Sequence, residues 1–249
     1  MFKEAINNYL HTHSYESIRL KAVLFDMDGV LFNSMPNHAE SWHRVMKRFG
    51  LGLSPEEAYM HEGRTGAATI NIVSRRERGY DATEEEIKMI YQAKTEEFNK
   101  CPMAERMPGA LEVLTKIKAA GLTPMVVTGS GQTSLLERLN HNFPGIFKAE
   151  LMVTAFDVKY GKPNPEPYLM ALKKGGFKPN EALVIENAPL GVQAGVAAGI
   201  FTVAVNTGPL PDSVLLDEGA DLLFHSMPDF NDNWEELKLN IENESVLKP

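Results

Sequence analysis

The chain has 249 residues, of which 43% are hydrophobic, enough to bury one core and a smaller appended domain. Its net charge of -8 argues against a broad nucleic-acid surface, so an anionic ligand has to be attracted by local positive charge. The single cysteine, Cys101, excludes an internal disulfide framework and is typical of a reducing compartment.

The sequence has no pattern of a targeting or membrane segment. Residues 1–20 are polar and lack an apolar run of signal-peptide length, and no later run is long enough to cross a membrane. We therefore expect a cytoplasmic protein that acts as a monomer, without a membrane or nucleic-acid partner.

Two aspartates follow the first apolar run of the chain. Residues 22–25 are typical of a buried parallel strand, and Asp26 and Asp28 come directly after it. Carboxylates at the carboxyl end of such a strand face the crevice where α/β sheets bind ligands. The alternative is an ordinary turn, because Asp and Gly are turn residues, and this motif alone does not decide between the two.

The segment after these aspartates has only helical periodicity. Helices are predicted over residues 37–49, 69–78 and 84–98, with no convincing strand among them. We therefore expect a small helical cap domain over residues 35–103, inserted after the first strand. The remaining residues, 1–34 and 104–249, form the predicted core domain.

From residue 108 onwards, helical and strand patterns alternate. Helices are predicted over 110–120, 135–141, 168–174 and 191–198, and strands over 125–128, 151–154, 183–186 and 201–205. This alternation predicts an α/β fold with a doubly wound, parallel, Rossmann-like sheet. After residue 229 we expect a loosely packed terminal helix around Trp234 to Leu239.

Two later segments carry groups that suit a phosphate ligand. One apolar run ends in Thr128 and Gly129, whose hydroxyl and backbone N–H groups precede a helical stretch and form a natural phosphate cradle. In the other, Lys162 is followed by a proline that restricts its backbone. A lone lysine is usually a solvated surface charge, so Lys162 has little meaning by itself.

A further strand-like run ends in Glu186 and Asn187. Oxygen donors without a nearby pair of histidines suit magnesium better than zinc. The alternative is an exposed turn between a strand and a helix, with no metal.

Taken together, these motifs resemble those of the haloacid dehalogenase superfamily. The shared motifs are Asp26-x-Asp28-Gly-Val, Thr128, Lys162-Pro and Glu186-Asn187. The likeness extends over about residues 21–224, and within the superfamily the chain resembles the β-phosphoglucomutase-like branch, which carries a small helical cap. Residues 60–66 and 184–189 are similar to those of bacterial inorganic pyrophosphatases in that branch.

The resemblance implies that Asp26 attacks a phosphoryl group and forms an aspartyl phosphate. Asp28 is then the general acid and base, which protonates the leaving oxygen and later deprotonates the attacking water. Superfamily members that dehalogenate or pump ions lack this second Asp, so Asp28 points to phosphatases and phosphomutases. Magnesium would be held by Asp26, the Asp28 backbone carbonyl and Asn187, with Glu186 acting through water.

Asn187 departs from the commoner pattern of the superfamily, which has Asp at this position. The amide removes one negative charge from the site. We therefore expect weaker magnesium binding, partly offset because an anionic substrate is repelled less.

The resemblance also implies contacts between core residues and the substrate. Thr128 and the Gly129 amide would hold the transferring phosphoryl oxygens. Lys162 would pair with both the phosphate and Asp26.

Cap residues complete the predicted binding site. Glu62, Gly63 and Arg64 correspond in position to the substrate-specificity loop of the branch, and Arg64 would bind a second anionic group. His38 corresponds to a hinge-side histidine of its mutases. The alternatives are a surface ion pair between Glu62 and Arg64 and an ordinary histidine in the first turn of a helix.

Three functions compete. The leading one is a magnesium-dependent phosphohydrolase for a small phosphorylated substrate, with inorganic pyrophosphate as the specific candidate. The alternative is a β-phosphoglucomutase-like sugar phosphomutase or a broad sugar-phosphate phosphatase. A silent binding module is disfavoured because it has no chemical reason to keep the catalytic set. Phosphonate hydrolysis is disfavoured because no cap lysine is clearly placed for a Schiff base.

Overall fold

The computed structural model describes residues 2–130 and 135–244, and its described part is built on one parallel sheet. The sheet has five strands in the order β2-β1-β3-β4-β5, with every neighbouring pair parallel. The strands are β1 (Ala22–Phe25), β2 (Thr123–Val126), β3 (Ala182–Glu186), β4 (Phe201–Val205) and β5 (Leu222–Phe224). The predicted α/β class is therefore confirmed.

Eleven helices of the described residues surround or extend this sheet. They are α1 (Phe2–His13), α2 (Met35–Arg48), α3 (Pro55–Met60), α4 (Gly66–Arg78), α5 (Glu84–Asn99), α6 (Ala110–Ala119), α7 (Leu135–Asn142), α8 (Glu166–Gly175), α9 (Pro189–Ala197), α10 (Asp212–Asp217) and α11 (Met227–Asn243).

Alternate residues of the strands supply two hydrophobic clusters, one on each face of the sheet. Val23 and Phe25 of β1 belong to a cluster that includes buried residues of α1, α6, α7 and α11. Ala22 and Leu24 belong to a second cluster with residues of α8 and α9. Because successive side chains of a strand point to opposite faces, this division is that of a doubly wound sheet.

The helices α2 to α5 share a hydrophobic cluster of their own, built around residues such as Val45, Ile70 and Ile90. We refer to these four helices as the cap helices. Helix α3 was not predicted, although Ser54 caps it by accepting a hydrogen bond from the Glu57 backbone N–H. The domain boundaries at residues 34 and 104 stay predictions.

The predicted strand over residues 151–154 is wrong. Ala149–Leu151 forms a single 3-10 turn, and only Val153 pairs with the sheet, as an isolated parallel bridge to Val127. The next backbone N–H, that of Thr154, donates instead to the Asp157 carboxylate at 2.8 Å. That side chain takes the donor that a continuing strand would need.

The terminal segments pack more firmly than the sequence indicated. Residues Ile6 and Leu10 of the unpredicted helix α1 are fully buried. The expectation of a loosely packed helix around Trp234 is also wrong, because Trp234 and Leu237 of α11 are fully buried in the same cluster as α1. In the described part of the chain, no helix is long and apolar enough to cross a membrane.

Candidate active site

The predicted catalytic residues meet at the carboxyl edge of the sheet. Asp26 directly follows β1, Glu186 is the last residue of β3, and Thr128 lies two residues beyond the end of β2. These three strands are neighbours in the sheet. Parallel strands present their carboxyl ends at one edge, so the fold brings together residues that are far apart in sequence.

Lys162 is the centre of the hydrogen-bond network at this edge. Its ammonium group donates to Asp26 Oδ1, to Glu186 Oε1 at 2.6 Å and to the Val127 carbonyl at 3.1 Å. These three acceptors match the three protons of an ammonium group. Burial lowers the pKa of Lys162, but Asp26 and Glu186 raise it well above its ordinary value. Lys162 is therefore a buried cation and not a surface charge.

Glu186 is fully buried and its partners are protein groups. Besides Lys162, it accepts hydrogen bonds from the Tyr168 hydroxyl at 2.8 Å and from the backbone N–H groups of Asn187 and Ala188 at 2.9 and 3.2 Å. Glu186 therefore holds Lys162 in place. Its predicted contact with a metal through water stays a prediction.

Asp28 is held by residues at the start of the cap helices. The Ser34 hydroxyl donates to Asp28 Oδ1 at 2.5 Å, and His38 Nε2 lies 3.4 Å from the same oxygen. Burial raises the pKa of Asp28, but His38 and Ser34 outweigh it and lower the pKa to about 2. His38 thus lies in the first turn of α2 and beside Asp28, and its role in binding substrate stays a prediction.

A cap lysine that was not identified from the sequence, Lys94, also lines the cavity. Lys94 Nζ is 2.7 Å from His38 Nδ1, and burial lowers the pKa of Lys94 to about 8. Its ammonium group lies over the rings of Trp42 and Phe98, 5.5 and 4.8 Å from their centroids. The sequence signal is its helical spacing: Ile90, Lys94 and Phe98 follow one another at intervals of four residues.

The lysine also sets the tautomer of His38. An ammonium group has only donors, so Nδ1 of the ring accepts from Lys94 and Nε2 carries the proton that faces Asp28. Burial, followed by the charge of Lys94, lowers the pKa of His38, while Asp28 raises it. Lys94, His38 and Asp28 thus form a chain of contacts from α5 through α2 to the loop after β1.

Glu62 joins the cap helices to the core. Both of its carboxylate oxygens accept hydrogen bonds from Asn187 Nδ2, at 3.2 and 3.1 Å. Burial raises the pKa of Glu62 well above its ordinary value, and the charges of Asp26, Glu186 and Asp28 raise it further. The alternative of a surface ion pair with Arg64 is wrong, because Glu62 is turned into the site and Arg64 Nε is buried without a hydrogen-bond partner.

Gly63 lies directly against Lys162. Its φ angle is +80°, and a Cβ atom added there would lie 3.1 Å from Lys162 Cδ. A Cβ on Gly129 would lie 3.6 Å from the Gly63 carbonyl oxygen. Thr128 is buried, and its hydroxyl accepts from the Ser130 backbone N–H at 3.0 Å, which leaves its own proton to donate to a ligand. The loop between α3 and α4, which carries Gly63, therefore lies against Thr128 and Gly129, the predicted phosphate-binding residues.

The cap helices and the core enclose a cavity of about 490 Å³. Its walls include Asp26, Thr128, Glu62, Arg64, Trp42 and Tyr91. The volume lies within the range of about 300 to 1,000 Å³ that is usual for small-molecule sites. The sequence analysis missed Trp42 and Tyr91 because nothing in a helical pattern distinguishes an aromatic core residue from one that lines a cavity.

Comparison with known proteins places this site in a family. The family described as haloacid dehalogenase-like hydrolases matches residues 23–205. The chain belongs to this family. It is similar to hexitol phosphatase A of Escherichia coli (strain K12), with 33% identity over 214 residues that cover 84% of this chain and 93% of that protein. It is also 30% identical over 203 residues to a phosphorylated carbohydrates phosphatase of Thermotoga maritima, covering 81% and 92% of the two chains.

A solved structure agrees with this assignment. It comes from Bacteroides vulgatus and was named as a candidate beta-phosphoglucomutase. The chain is 87% identical to it with a TM-score of 0.95, and the match covers 97% of this chain and 98% of that one. The resemblance to the superfamily and to its β-phosphoglucomutase-like branch is therefore confirmed. None of these three relatives is named as a pyrophosphatase.

The residues of this haloacid dehalogenase-like hydrolase fit a magnesium ion. Asn187 Oδ1 is buried and has no hydrogen-bond partner among the described residues. Burial raises the pKa of Asp26 to about 7 even though Lys162 lowers it, because Glu186 and Asp28 add like charge. A divalent cation would relieve this excess of negative charge, and magnesium prefers hard oxygen ligands. In the described ranges, no group of three or more His, Cys, Asp or Glu side chains is arranged to hold a metal ion, and the predicted set relies on an amide and a backbone oxygen.

We expect Gly63→Ala to impair the closed site. The new methyl group would meet Lys162, and the positive φ adds strain of about 1 to 2 kcal/mol for a residue with a Cβ. Gly79→Ala is a matched control, because Gly79 has a φ of +82° but no atom within 4 Å of its added Cβ. Both variants should lose similar thermal stability, whereas kcat/KM for a phosphate monoester should fall about tenfold or more only in Gly63→Ala. Equal activity of the two variants would contradict this close contact.

We expect Asn187→Asp to tighten magnesium binding, because it adds a hard anionic ligand, and Asn187→Ala to weaken it. Isothermal titration of the protein with magnesium chloride measures this independently of turnover. An unchanged dissociation constant in both variants would mean that Asn187 is not a ligand.

Proposed function

We propose that this protein is a magnesium-dependent phosphohydrolase that transfers the phosphoryl group of a small substrate to Asp26 and then to water. The observation that carries this proposal is the different pairing of two nearby carboxylates. Asp26 pairs with the buried Lys162, whereas Asp28, two residues later, is contacted by Ser34 and His38. Two carboxylates in different environments suit two different roles, one as nucleophile and one as acid and base.

The contacts of Asp26 favour attack by one of its oxygens. Oδ1 is engaged by Lys162, and the described residues give Oδ2 no hydrogen-bond donor. Lys162, the Thr128 hydroxyl and the Gly129 N–H would hold the phosphoryl oxygens. When bound by Asp26, the Asp28 carbonyl and Asn187, magnesium would neutralise the charge that otherwise separates a carboxylate from a phosphate.

Asp28 is proposed to donate a proton to the leaving oxygen and later to accept one from the attacking water. Because its pKa of about 2 leaves it ionised in the free site, it takes up that proton when the substrate binds. Ser34 and His38 orient its carboxylate, and Lys94 fixes the ring of His38. General acid–base catalysis of this kind is worth roughly 10² to 10⁴ in rate.

The proposed substrate is a phosphorylated sugar or polyol. The names of the two curated relatives, a hexitol phosphatase and a phosphorylated carbohydrates phosphatase, support this class. The cavity supports it as well, because its Arg64 and Trp42 side chains offer a cation and an apolar ring surface to a leaving group. Release of free phosphate distinguishes a phosphatase from the mutase alternative, since a mutase releases little.

Inorganic pyrophosphate, the leading candidate from the sequence, becomes the second candidate, because the named relatives do not support it. One observation favours it: the Glu62 carboxylate is directed at Asn187 inside the site. There it would repel a bulky, poorly neutralised anion, while a cation at Asn187 would offset its charge toward a compact diphosphate. The monomeric state and the cytoplasmic location stay predictions.

Asp26→Asn should abolish turnover, because an amide cannot attack the phosphoryl group. The loss should exceed the roughly 10² to 10⁴ expected for Asp28→Asn, which removes only acid–base catalysis. A steady-state screen of hexose, hexitol and other small phosphate esters and of pyrophosphate, with and without magnesium, identifies the substrate first. Retention of more than a few per cent of the wild-type rate by Asp26→Asn would rule out the covalent mechanism.

Glu62→Ala separates the two substrate classes. If pyrophosphate is the substrate, its kcat/KM should fall about tenfold or more, or about 1.4 kcal/mol per tenfold, while a monoester is nearly unaffected. Glu56→Ala, at an exposed position of the same helix region, is the control and should change neither substrate. An equal loss on both substrates would assign Glu62 to cap positioning, and no loss on either would remove the observation that favours pyrophosphate.

A further inference from the structure

A half-buried arginine lies close to the candidate site, and the proposed mechanism does not use it. Arg138 belongs to α7, and its Nε and Nη2 atoms are buried without a hydrogen-bond partner in residues 2–130 and 135–244. Burial lowers the pKa of Arg138, whereas the charge of Asp28 raises it. Removing charged N–H groups from water without a partner costs free energy. A ring contact and the charge of Asp28 offset this cost for Arg138.

The ring is that of Phe32, which is fully buried. Arg138 Cζ lies 3.9 Å from the ring centroid, where the π-electrons attract a guanidinium group. Phe143, just after the end of α7, meets the same ring edge-on with centroids 5.5 Å apart. Arg138 of α7 and Phe143 just after this helix therefore both pack against the Phe32 ring.

Phe32 lies where the two chain connections between core and cap helices pair with each other. The Asn33 N–H donates to the Glu105 carbonyl at 3.0 Å, and the Met107 N–H donates to the Leu31 carbonyl at 2.8 Å. Arg106 also donates to a carbonyl at the end of α7 at 3.1 Å. Any shift of Phe32 therefore shifts both connections.

Phe32 also supports the loop that carries Asp28. Its carbonyl accepts from the Gly29 N–H at 2.8 Å, and its own N–H donates to the Met27 carbonyl at 3.0 Å. The Ser34 hydroxyl lies 3.4 Å from the Phe32 carbonyl and donates to Asp28 at 2.5 Å. The position of the Asp28 carboxylate thus depends on the position of Phe32.

We propose that Arg138 is a positioning residue for proton transfer by Asp28, acting through Phe32 and Ser34. It holds the protonated Asp28 carboxyl group beside the leaving oxygen, so that the proton passes to this oxygen as the P–O bond breaks and Asp28 becomes a carboxylate. This inference rests on the proposed function, because it assumes that Asp28 acts as a general acid.

Phosphate esters differ in how much their leaving group depends on a proton from a general acid. An alkyl oxygen is a poor leaving group and needs a proton as it departs, whereas p-nitrophenolate departs as an anion without one. The ratio kcat/KM covers the steps up to departure of the leaving group. Loss of Asp28 positioning therefore lowers kcat/KM for an alkyl phosphate and spares p-nitrophenyl phosphate.

The test is Arg138→Met, which keeps the length of the side chain and removes its charge and its planar group. We expect kcat/KM to fall about tenfold or more for the best alkyl phosphate of the substrate screen, and less than about threefold for p-nitrophenyl phosphate. In an Asp28→Asn background the substitution should cause no further loss, because both act on one step. Glu137→Gln, at the exposed neighbouring position of α7, is the matched control and should leave both ratios unchanged.

The comparison of two substrates is independent of the folded fraction of the variant. If Arg138→Met does not fold, Arg138→Lys keeps the charge, loses the planar stacking, and should show the same dependence on the leaving group. Equal losses on both substrates, or losses that add to that of Asp28→Asn, overturn this inference alone. A wild-type protein that releases phosphate from no substrate overturns the proposed function and this inference with it.

Discussion

The buried ammonium group of Lys162 is the charge on which the site depends. It lies at the carboxyl edge of β1 and β3, where Asp26 and Glu186 are both removed from water. Without it, two buried carboxylates would repel each other at short range, and each would be costly to ionise. Tyr168 and two backbone N–H groups complete the shell of Glu186 and fix the lysine in one position. The packed sheet edge thus keeps Asp26, the proposed nucleophile, ionisable and oriented.

The cap helices contribute chemistry as well as cover. Ser34 directly precedes α2, His38 lies in the first turn of that helix, and both contact Asp28. Glu62 and Gly63 contact Asn187 and Lys162 on the other side. The site is therefore assembled from two bodies of the chain, each with its own hydrophobic cluster. Movement of the cap helices relative to the core would separate Asp28, the proposed general acid, from Ser34 and His38, which orient it.

Much of the core was predictable because continuous apolar runs and helical patterns of apolar residues report burial directly. Asp26, Thr128 and Glu186 follow such runs at strand ends, and a parallel sheet must bring strand ends together. Lys162 lies in the loop before α8, so only the resemblance pointed to its place in the site. Lys94 was missed because it occupies a position of α5 where the helical pattern predicts an apolar core residue. Its contact with His38, far away in sequence, can be seen only in the folded structure. The false strand at 151–154 has a similar cause: Met152 and Val153 are buried, but only Val153 pairs with the sheet, and the next N–H, that of Thr154, donates to the Asp157 side chain.

The Asn187 side chain has consequences beyond the charge that it removes. Its Nδ2 donates to Glu62 of the cap, while its Oδ1 is left for a ligand in the core. A cation on Oδ1 would hold the amide in the orientation that also binds Glu62, so ion binding and cap closure would favour each other by the same free energy. A carboxylate at this position would lose the hydrogen bond to Glu62 and face it with like charge, which would disfavour the closed cap when no cation is bound. The amide thus makes a single side chain a latch between the metal site and the cap.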